Sequence, residues 1–228
     1  SMFFDKASKQ LGSIQGSLAK TQEQLSTGKQ ITKPSDEPDK ASLITRLDSE
    51  LARQKSYQGN LKAVNIRLQA EETALKNTSN VMYRFKELAV QAGNDTLGPA
   101  DRRTLSLEMT QLKEQILSLA NSQDSNGNFL FAGSRVGQAP FGQDAKGRVV
   151  YQGDQSRMVV PVGDNRRMNL NIPGSDAFVH LVRVDDKGNR VGVGFFQALS
   201  DMANAVATSD RPNIQRGIKE LDRMQQGI

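Results

Sequence analysis

The sequence predicts an α+β fold in which an elongated, coiled-coil-like bundle of helices carries an inserted, small antiparallel β-rich domain. The first observation is that apolar residues in several long segments recur every three and four positions, as in helices that pack lengthwise. The second is that eleven of the nineteen glycines lie between 127 and 194. The third is that only 36% of the residues are apolar and tryptophan is absent. A thin helical bundle fits that composition better than a thick globular core.

The predicted helical segments follow in order along the chain. The first runs from about 3 to 27, and the second runs from 39 to 96 without a proline. Within the second, Gly59 costs about 1 kcal/mol relative to alanine and allows a kink. Pro38 and Pro99 stand where proline opens a helix. Helical sequence resumes at Phe195 and again after Pro212.

Three of these helices carry apolar residues at the spacing of a coiled-coil seam. We expect these residues to face one another and to form the core of the bundle, and we name them the helical-core seam. The seam consists of Leu61, Leu68, Leu75 and Met82 on the second helix, Leu105, Met109, Leu112, Ile116 and Leu119 on the third, and Ile218 and Leu221 on the last.

The glycine-rich region predicts antiparallel hairpins. Short β-favouring runs alternate there with Gly, Asp and Asn turns at intervals of about eight to twelve residues. The runs are Phe129–Phe131, Val149–Gln152, Arg157–Val162, Met168–Ile172, Phe178–Val184 and Arg190–Val193. We therefore divide the chain into a discontinuous helical rod, 1–134 and 195–228, and an inserted β-rich outer domain, 135–194.

The usual reaction centres are not recognisable in the sequence. The chain has no cysteine, which excludes disulfides and thiolate chemistry, and His180 is its only histidine. A histidine metal cluster or a Ser-His-Asp triad would need residues that the sequence does not supply. Gly192-Val193-Gly194 lacks the third glycine of a dinucleotide loop. We predict no catalytic, cofactor-binding or metal-binding residues, no cofactor, and a protein that is not an enzyme.

Charge and hydropathy limit the classes of partner, such as nucleic acid or a membrane, that the chain is expected to bind. The net charge of +5 arises from 30 basic and 25 acidic residues, and these alternate along the helices as on a solvated surface. A basic coiled-coil protein that binds nucleic acid remains an alternative. The arginine pairs 102–103 and 166–167 lack an aromatic platform, so we assign them to intersubunit or intrahelical ion pairs. No window approaches a membrane span, and the first ten residues lack the core of a cleavable signal peptide.

Several motifs together resemble the flagellin superfamily. These are LSTGKQITKPSDEP at 25–38, and NDTLGPADRRTLSLEMTQLKEQILSLAN followed by SNGNFLFAGS within 94–134. The PSDEP form of the first loop, with YQGD at 151–154 and NIPGSDAF at 171–178, looks more like the hook-associated protein 3 branch, whose members join the flagellar hook to its filament. The resemblance covers nearly the whole chain. Because helical sequence runs close to both ends, we expect a core fragment that lacks complete terminal helices.

This resemblance implies a structural protein of the bacterial flagellum, located outside the cell at the hook–filament junction. It implies partners in the hook-side junction protein (hook-associated protein 1) and flagellin, self-association in a ring, and export in an unfolded state with help from a chaperone. It also implies terminal segments that fold on assembly, so that the fragment alone is a monomer. No nucleic acid and no membrane are expected as partners. A filament flagellin with a reduced outer domain remains an alternative.

Overall fold

Six helices and six short strands form the protein in a computed structural model that describes residues 2–28 and 38–228. Residues 29–37, which hold most of the first family motif, lie outside the described residues. In chain order the elements are α1 Met2–Gly28, α2 Pro38–Ala92, α3 Pro99–Ala120, β1 Phe141–Gln143, β2 Val149–Tyr151, β3 Val159–Gly163, β4 Arg166–Asn169, α4 Gly174–Ala177, β5 Leu181–Val184, β6 Arg190–Val193, α5 Phe195–Ala207 and α6 Arg211–Gln226. The α+β class predicted from the sequence is confirmed.

The helix starts follow the local signals that the sequence carries. α2 begins at Pro38 and α3 begins at Pro99, as expected for proline in the first helical turn. At α3 the Asp101 carboxylate accepts the Gly98 N–H at 3.3 Å, which satisfies one of the free donors of the helix end. α2 is a single helix of 55 residues that continues through Gly59 without a break.

The strands form three antiparallel hairpins, each a separate two-stranded sheet within the described ranges. β1 pairs with β2, β3 with β4, and β5 with β6. The predicted strand Phe129–Phe131 is wrong: only one isolated bridge, Gln123 to Phe129, forms there, and the apolar residues that follow are buried in a loop. Conversely, β1 and the four-residue helix α4 were not predicted, because elements of three or four residues carry almost no periodicity.

Three turns share one five-residue pattern, Asp-x-x-Gly-x, at 124–128, 144–148 and 185–189. In each turn the carboxylate of the first residue accepts the N–H groups of the third and fifth residues at 2.7–3.0 Å. The glycine of each turn has φ between 76° and 80°, a left-handed conformation that glycine adopts without a Cβ penalty. The backbone N–H of the fifth residue is the main cause that lowers the pKa of Asp144 and of Asp185.

The chain divides into two compact units. The first contains residues up to 69 together with 158–170, so that α1, the first part of α2 and the hairpin β3–β4 share one core. Asn60 Nδ2 donates to Pro161 O at 2.7 Å, and the Tyr57 hydroxyl donates to Asp164 Oδ1 at 3.0 Å. The buried apolar side chains of this unit include Leu11, Ile14, Leu18, Leu61, Val64, Leu68, Val162 and Met168.

The second unit contains residues 70–157 and 171–228. Its closest helix packing is α3 on α5 and α5 on α6. The boundaries of the two units, at 69/70, 157/158 and 170/171, differ from those of the predicted helical rod and β-rich outer domain. The predicted division into rod and outer domain stays a prediction.

Candidate functional site: the helical core and the motif junction

The helical-core seam is largely buried in both units. Nine of its eleven residues are buried: Leu61, Leu68, Leu75, Met82, Leu105, Met109, Leu112, Ile116 and Leu221. Leu119 and Ile218 are partly exposed. Leu61 and Leu68 belong to the first unit, whereas the other nine seam residues belong to the second. The predicted face-to-face arrangement of the seam on α2, α3 and α6 stays a prediction.

The helix α3 packs on α5, a helix that carries none of the predicted seam residues. The helix α5 buries Leu199, Met202 and Val206, and the Ser106 hydroxyl on α3 donates to Ala203 O at 2.8 Å. On the other side of α5, a Cβ on Gly217 would lie 2.3 Å from Met202 Cε. The close approach at Gly217 places that residue in the buried face of α6, while its neighbour Ile218 is partly exposed.

Arg102 is the buried residue of this core that sequence reasoning assigned wrongly. The side chain is 5% exposed, and its guanidinium donates to Ala92 O at 2.7 Å and to Asn94 O at 3.2 Å. It therefore binds the carbonyls of Ala92, the last residue of α2, and of Asn94 just after it, in place of an intrahelical carboxylate. A signal was present in the sequence, because Arg102 stands three residues before Leu105 and so occupies a seam position.

Three of the motifs that carry the family resemblance meet at one place in the second unit. We call the segments 129–134, 151–154 and 171–178 the motif junction. The Gly174 N–H donates to Phe131 O at 2.8 Å, and the Asp154 N–H donates to Ala132 O at 3.2 Å. The motifs are distant in sequence, yet their backbones pair directly. The junction therefore fixes the loop after α3 against the end of β2 and the start of α4.

Asp154 is the electrostatic centre of the motif junction. Its Oδ1 accepts the N–H groups of Ser134 and Ser156 at 2.8 and 2.9 Å, and Oδ2 accepts the Ser134 hydroxyl. These bonds, the Ser134 hydroxyl first among them, hold the pKa of Asp154 far below its usual range. Gly133 lies directly against this carboxylate with φ +66°, and a Cβ there would lie 2.1 Å from Oδ1. Only glycine fits that position without rearrangement.

Tyr151 connects the junction to an aromatic cluster. Its hydroxyl donates to Asp154 O at 2.6 Å and lies 3.1 Å from Phe131 O, and burial raises the pKa of Tyr151 to about 12. Ring centroids within the cluster are 5.2–6.0 Å apart. The cluster consists of Phe131, Phe141, Tyr151, Phe178, Phe195 and Phe196. Such edge-to-face contacts add to the apolar area that the rings bury, so the cluster holds β1, β2 and α4 on the start of α5.

A charge network ties β5–β6 to the C-terminal helices. Arg183 Nε donates to both Glu220 carboxylate oxygens at 2.9 and 3.0 Å, and its Nη1 pairs with Asp201. Glu220 is 3% exposed. Because a buried carboxylate is costly unless it is paired and hydrogen-bonded, Arg183 stabilises Glu220 where α6 packs against the hairpin, together with Arg216, whose Nε lies 3.3 Å from Glu220 Oε1.

The residues considered for catalysis, His180, Gly192 and Gly194, lie together along one open cavity of about 720 Å³. His180 is exposed and directly precedes β5, Gly192 lies in β6, and Gly194 caps α5. Within the part of the chain that the structure describes, no group of three or more His, Asp or Glu side chains is placed to hold a metal ion. None of the described helices combines the length and apolar character that crossing a membrane requires.

The chain is similar to known proteins of the bacterial flagellum. Residues 2–135 match the family described as the bacterial flagellin N-terminal helical region. The chain is similar to flagellar hook-associated protein 3 of Salmonella typhimurium, with 31% identity over 177 residues, which covers 78% of this chain and 55% of that protein. It is also similar to the flagellar filament 41 kDa core protein of Borreliella burgdorferi, with 33% identity over 121 residues, which covers 53% of this chain and 36% of that protein.

Among solved structures, the chain is similar to the crystal structure of Xanthomonas campestris FlgL in space group C2. The TM-score is 0.70 at 22% identity, over 79% of this chain and 88% of that chain. This likeness shows a shared fold. The chain spans only about half of the length of the Salmonella typhimurium relative, 55%.

Proposed function

The chain belongs to the bacterial flagellin family, and on that premise we propose that it is a structural component of the bacterial flagellum that joins the hook to the filament. The family consists of structural flagellar proteins and not of enzymes. The observation that supports the junction role is the identity at comparable coverage: hook-associated protein 3 is 31% identical over 78% of the chain, whereas filament proteins that cover 74–81% of it are 24–28% identical.

The proposed mechanism is assembly by helix packing. Within the second unit, the packing of α3 on α5 and of α5 on α6 provides a helical core, and the motif junction ties the end of β2 and the start of α4 to the loop after α3. Helical segments beyond this chain would be marginal in isolation, because helix nucleation is costly and stability comes from packing. We propose that they order only when the subunit docks onto its neighbours, so that folding and assembly are coupled.

The proposed partners follow from the junction role. They are the hook-side junction protein, hook-associated protein 1, flagellin, and further copies of the protein in a ring. We propose export to the cell exterior in an unfolded state handled by a chaperone. The chain of 228 residues by itself is proposed to be a monomer.

Motility complementation tests this proposal. In a strain that lacks the protein, the longer natural protein should restore swimming, whereas residues 1–228 should not. Sedimentation of residues 1–228 should show a monomer. A fragment that rescues swimming, or that forms rings without further sequence, would contradict the assembly mechanism.

The alternative is a filament flagellin with a reduced outer domain, and the Borreliella burgdorferi relative favours it locally. Electron microscopy of the purified longer protein separates the two. A flagellin should polymerise into filaments by itself, whereas a junction protein should only cap existing hooks. A salt-dependent gel shift with duplex DNA would instead support the nucleic-acid-binding alternative, because phosphate contacts weaken steeply with salt.

A further inference from the structure

The first unit carries a groove between the start of α1 and β4. Its apolar surface consists of Phe3 and Ala7 on α1, Leu68 on α2 and Met168 on β4. The volume of the groove is about 290 Å³. An apolar cavity of about 150 Å³ holds a benzene-sized group, so the groove has room for one or two apolar side chains. Phe3, at 38% exposure, forms an open wall, whereas Leu68 and Met168 form a buried floor.

The polar rim of this groove is cationic on both sides. Lys6 on α1 and Arg167 on β4 line it, and both are exposed. Neither side chain makes a hydrogen bond or an ion pair with any residue of the ranges 2–28 and 38–228, and no described Asp or Glu lines the groove. Lys6 and Arg167 therefore differ from Arg53, Arg84 and Arg183, whose guanidinium groups are paired with carboxylates.

We propose that this groove docks an acidic amphipathic helix of a partner protein. One apolar side chain of the partner enters between Phe3 and Met168, and carboxylates one turn before and after it pair with Lys6 and Arg167. An apolar anchor in a groove with charges at the rim is the usual mode for such helices. A second copy of this chain complements the groove less well, because the chain has 30 basic and 25 acidic residues.

The inference depends on the groove alone and goes beyond the flagellar proposal. It predicts a partner whose binding weakens with salt, since the rim pairs are exposed and screened by ions. It also predicts that both the apolar anchor and the charges are needed. Phe3→Ala should weaken binding because it removes the exposed wall against which the anchor packs.

Fluorescence anisotropy with synthetic helical peptides tests the proposal on the purified chain. The probe peptide carries one leucine flanked by glutamates one turn before and after it, and the control peptide carries lysines in their place. The chain should bind the glutamate peptide and not the lysine peptide. In the double variant Lys6→Glu with Arg167→Glu, affinity for the glutamate peptide should fall by about tenfold or more, and the lysine peptide should now bind.

A matched control uses the neighbouring strand residue, Arg166, and the lysine about one helix turn further along α1, Lys9. Lys9→Glu with Arg166→Glu changes the net charge equally at two exposed residues outside the groove and should leave binding of the glutamate peptide unchanged. Circular dichroism must show that both double variants are folded. Failure of the glutamate peptide to bind the folded chain, or equal loss in both double variants, would overturn the proposal. So would a self-associating chain that the groove variant alone makes monomeric, since a second copy would then occupy the groove.

Discussion

Replacing Leu112 by alanine changes the buried face of α3 and nothing else on that helix. Leu112 is 9% exposed, whereas Leu107 on the opposite face of the same helix is 66% exposed. The substitution removes about three methylene equivalents, each worth ~0.8 kcal/mol when buried. The cavity left behind adds to this cost, and measured losses for buried Leu→Ala changes are about 2–5 kcal/mol. Since Leu112 lies at the edge of the core, we expect a loss of about 2–3 kcal/mol.

Leu107→Ala is the matched control, because helix, residue type and change in helix propensity are the same. An exposed site away from special features should change the free energy of unfolding by no more than about 0.5 kcal/mol. Urea denaturation followed by circular dichroism at 222 nm, a wavelength that reports helix, measures both variants. Equal losses for Leu107→Ala and Leu112→Ala, or a loss below about 0.5 kcal/mol at Leu112, would refute the assignment of the seam.

Three further outcomes are expected. Gly133→Ala should cost about 1–3 kcal/mol of unfolding free energy because of its left-handed φ and the Asp154 carboxylate against it, whereas Gly137→Ala, with no atom within 4 Å of the new Cβ, should cost much less. Because the pKa of Asp154 is lowered on folding, its contribution to stability should be present above the unfolded pKa of about 4 and lost as the pH falls below it; Asp154→Asn should flatten this acid dependence in urea titrations. Replacing 135–193 by a Gly/Ser linker should leave most of the helical circular dichroism but lower the melting temperature, since Val162 and Met168 leave the core of the first unit; loss of most helical signal would contradict the division into rod and outer domain.

The helices could be predicted from the sequence because their determinants are local. Proline at Pro38 and Pro99 and the three-four spacing of apolar residues act within a few turns, so the start and direction of each helix are set by neighbours in the chain. The choice of partner is different. Nothing in the spacing on α3 indicates whether α2 or α5 lies against it, because an apolar stripe is compatible with any other apolar stripe.

The parts that sequence reasoning missed depend on contacts between distant residues. The run Phe129–Phe131 has the amino-acid composition of a strand. However, Phe131 O accepts its hydrogen bond from the Gly174 N–H, more than forty positions away, and no neighbouring strand of the described ranges pairs with the run. Arginine is usually a surface residue, yet Arg102 is buried because its guanidinium donates to a carbonyl at the end of α2. In both cases the conformation depends on a hydrogen bond with a backbone group that has no partner within its own helix or loop among the described residues. Local sequence propensities do not report such distant partners.

The same distinction predicts that positions in the motif junction tolerate fewer substitutions than seam positions do. A seam position tolerates several apolar side chains, since burial rewards area and tolerates changes that keep the volume. Positions in the junction tolerate very few. Gly133 has no space for a Cβ, and Tyr151 must supply both a buried ring and a hydroxyl that reaches Asp154 O. We therefore expect substitutions at Gly133, Tyr151 and Asp154 to destabilise the second unit more than apolar substitutions of similar volume at seam positions.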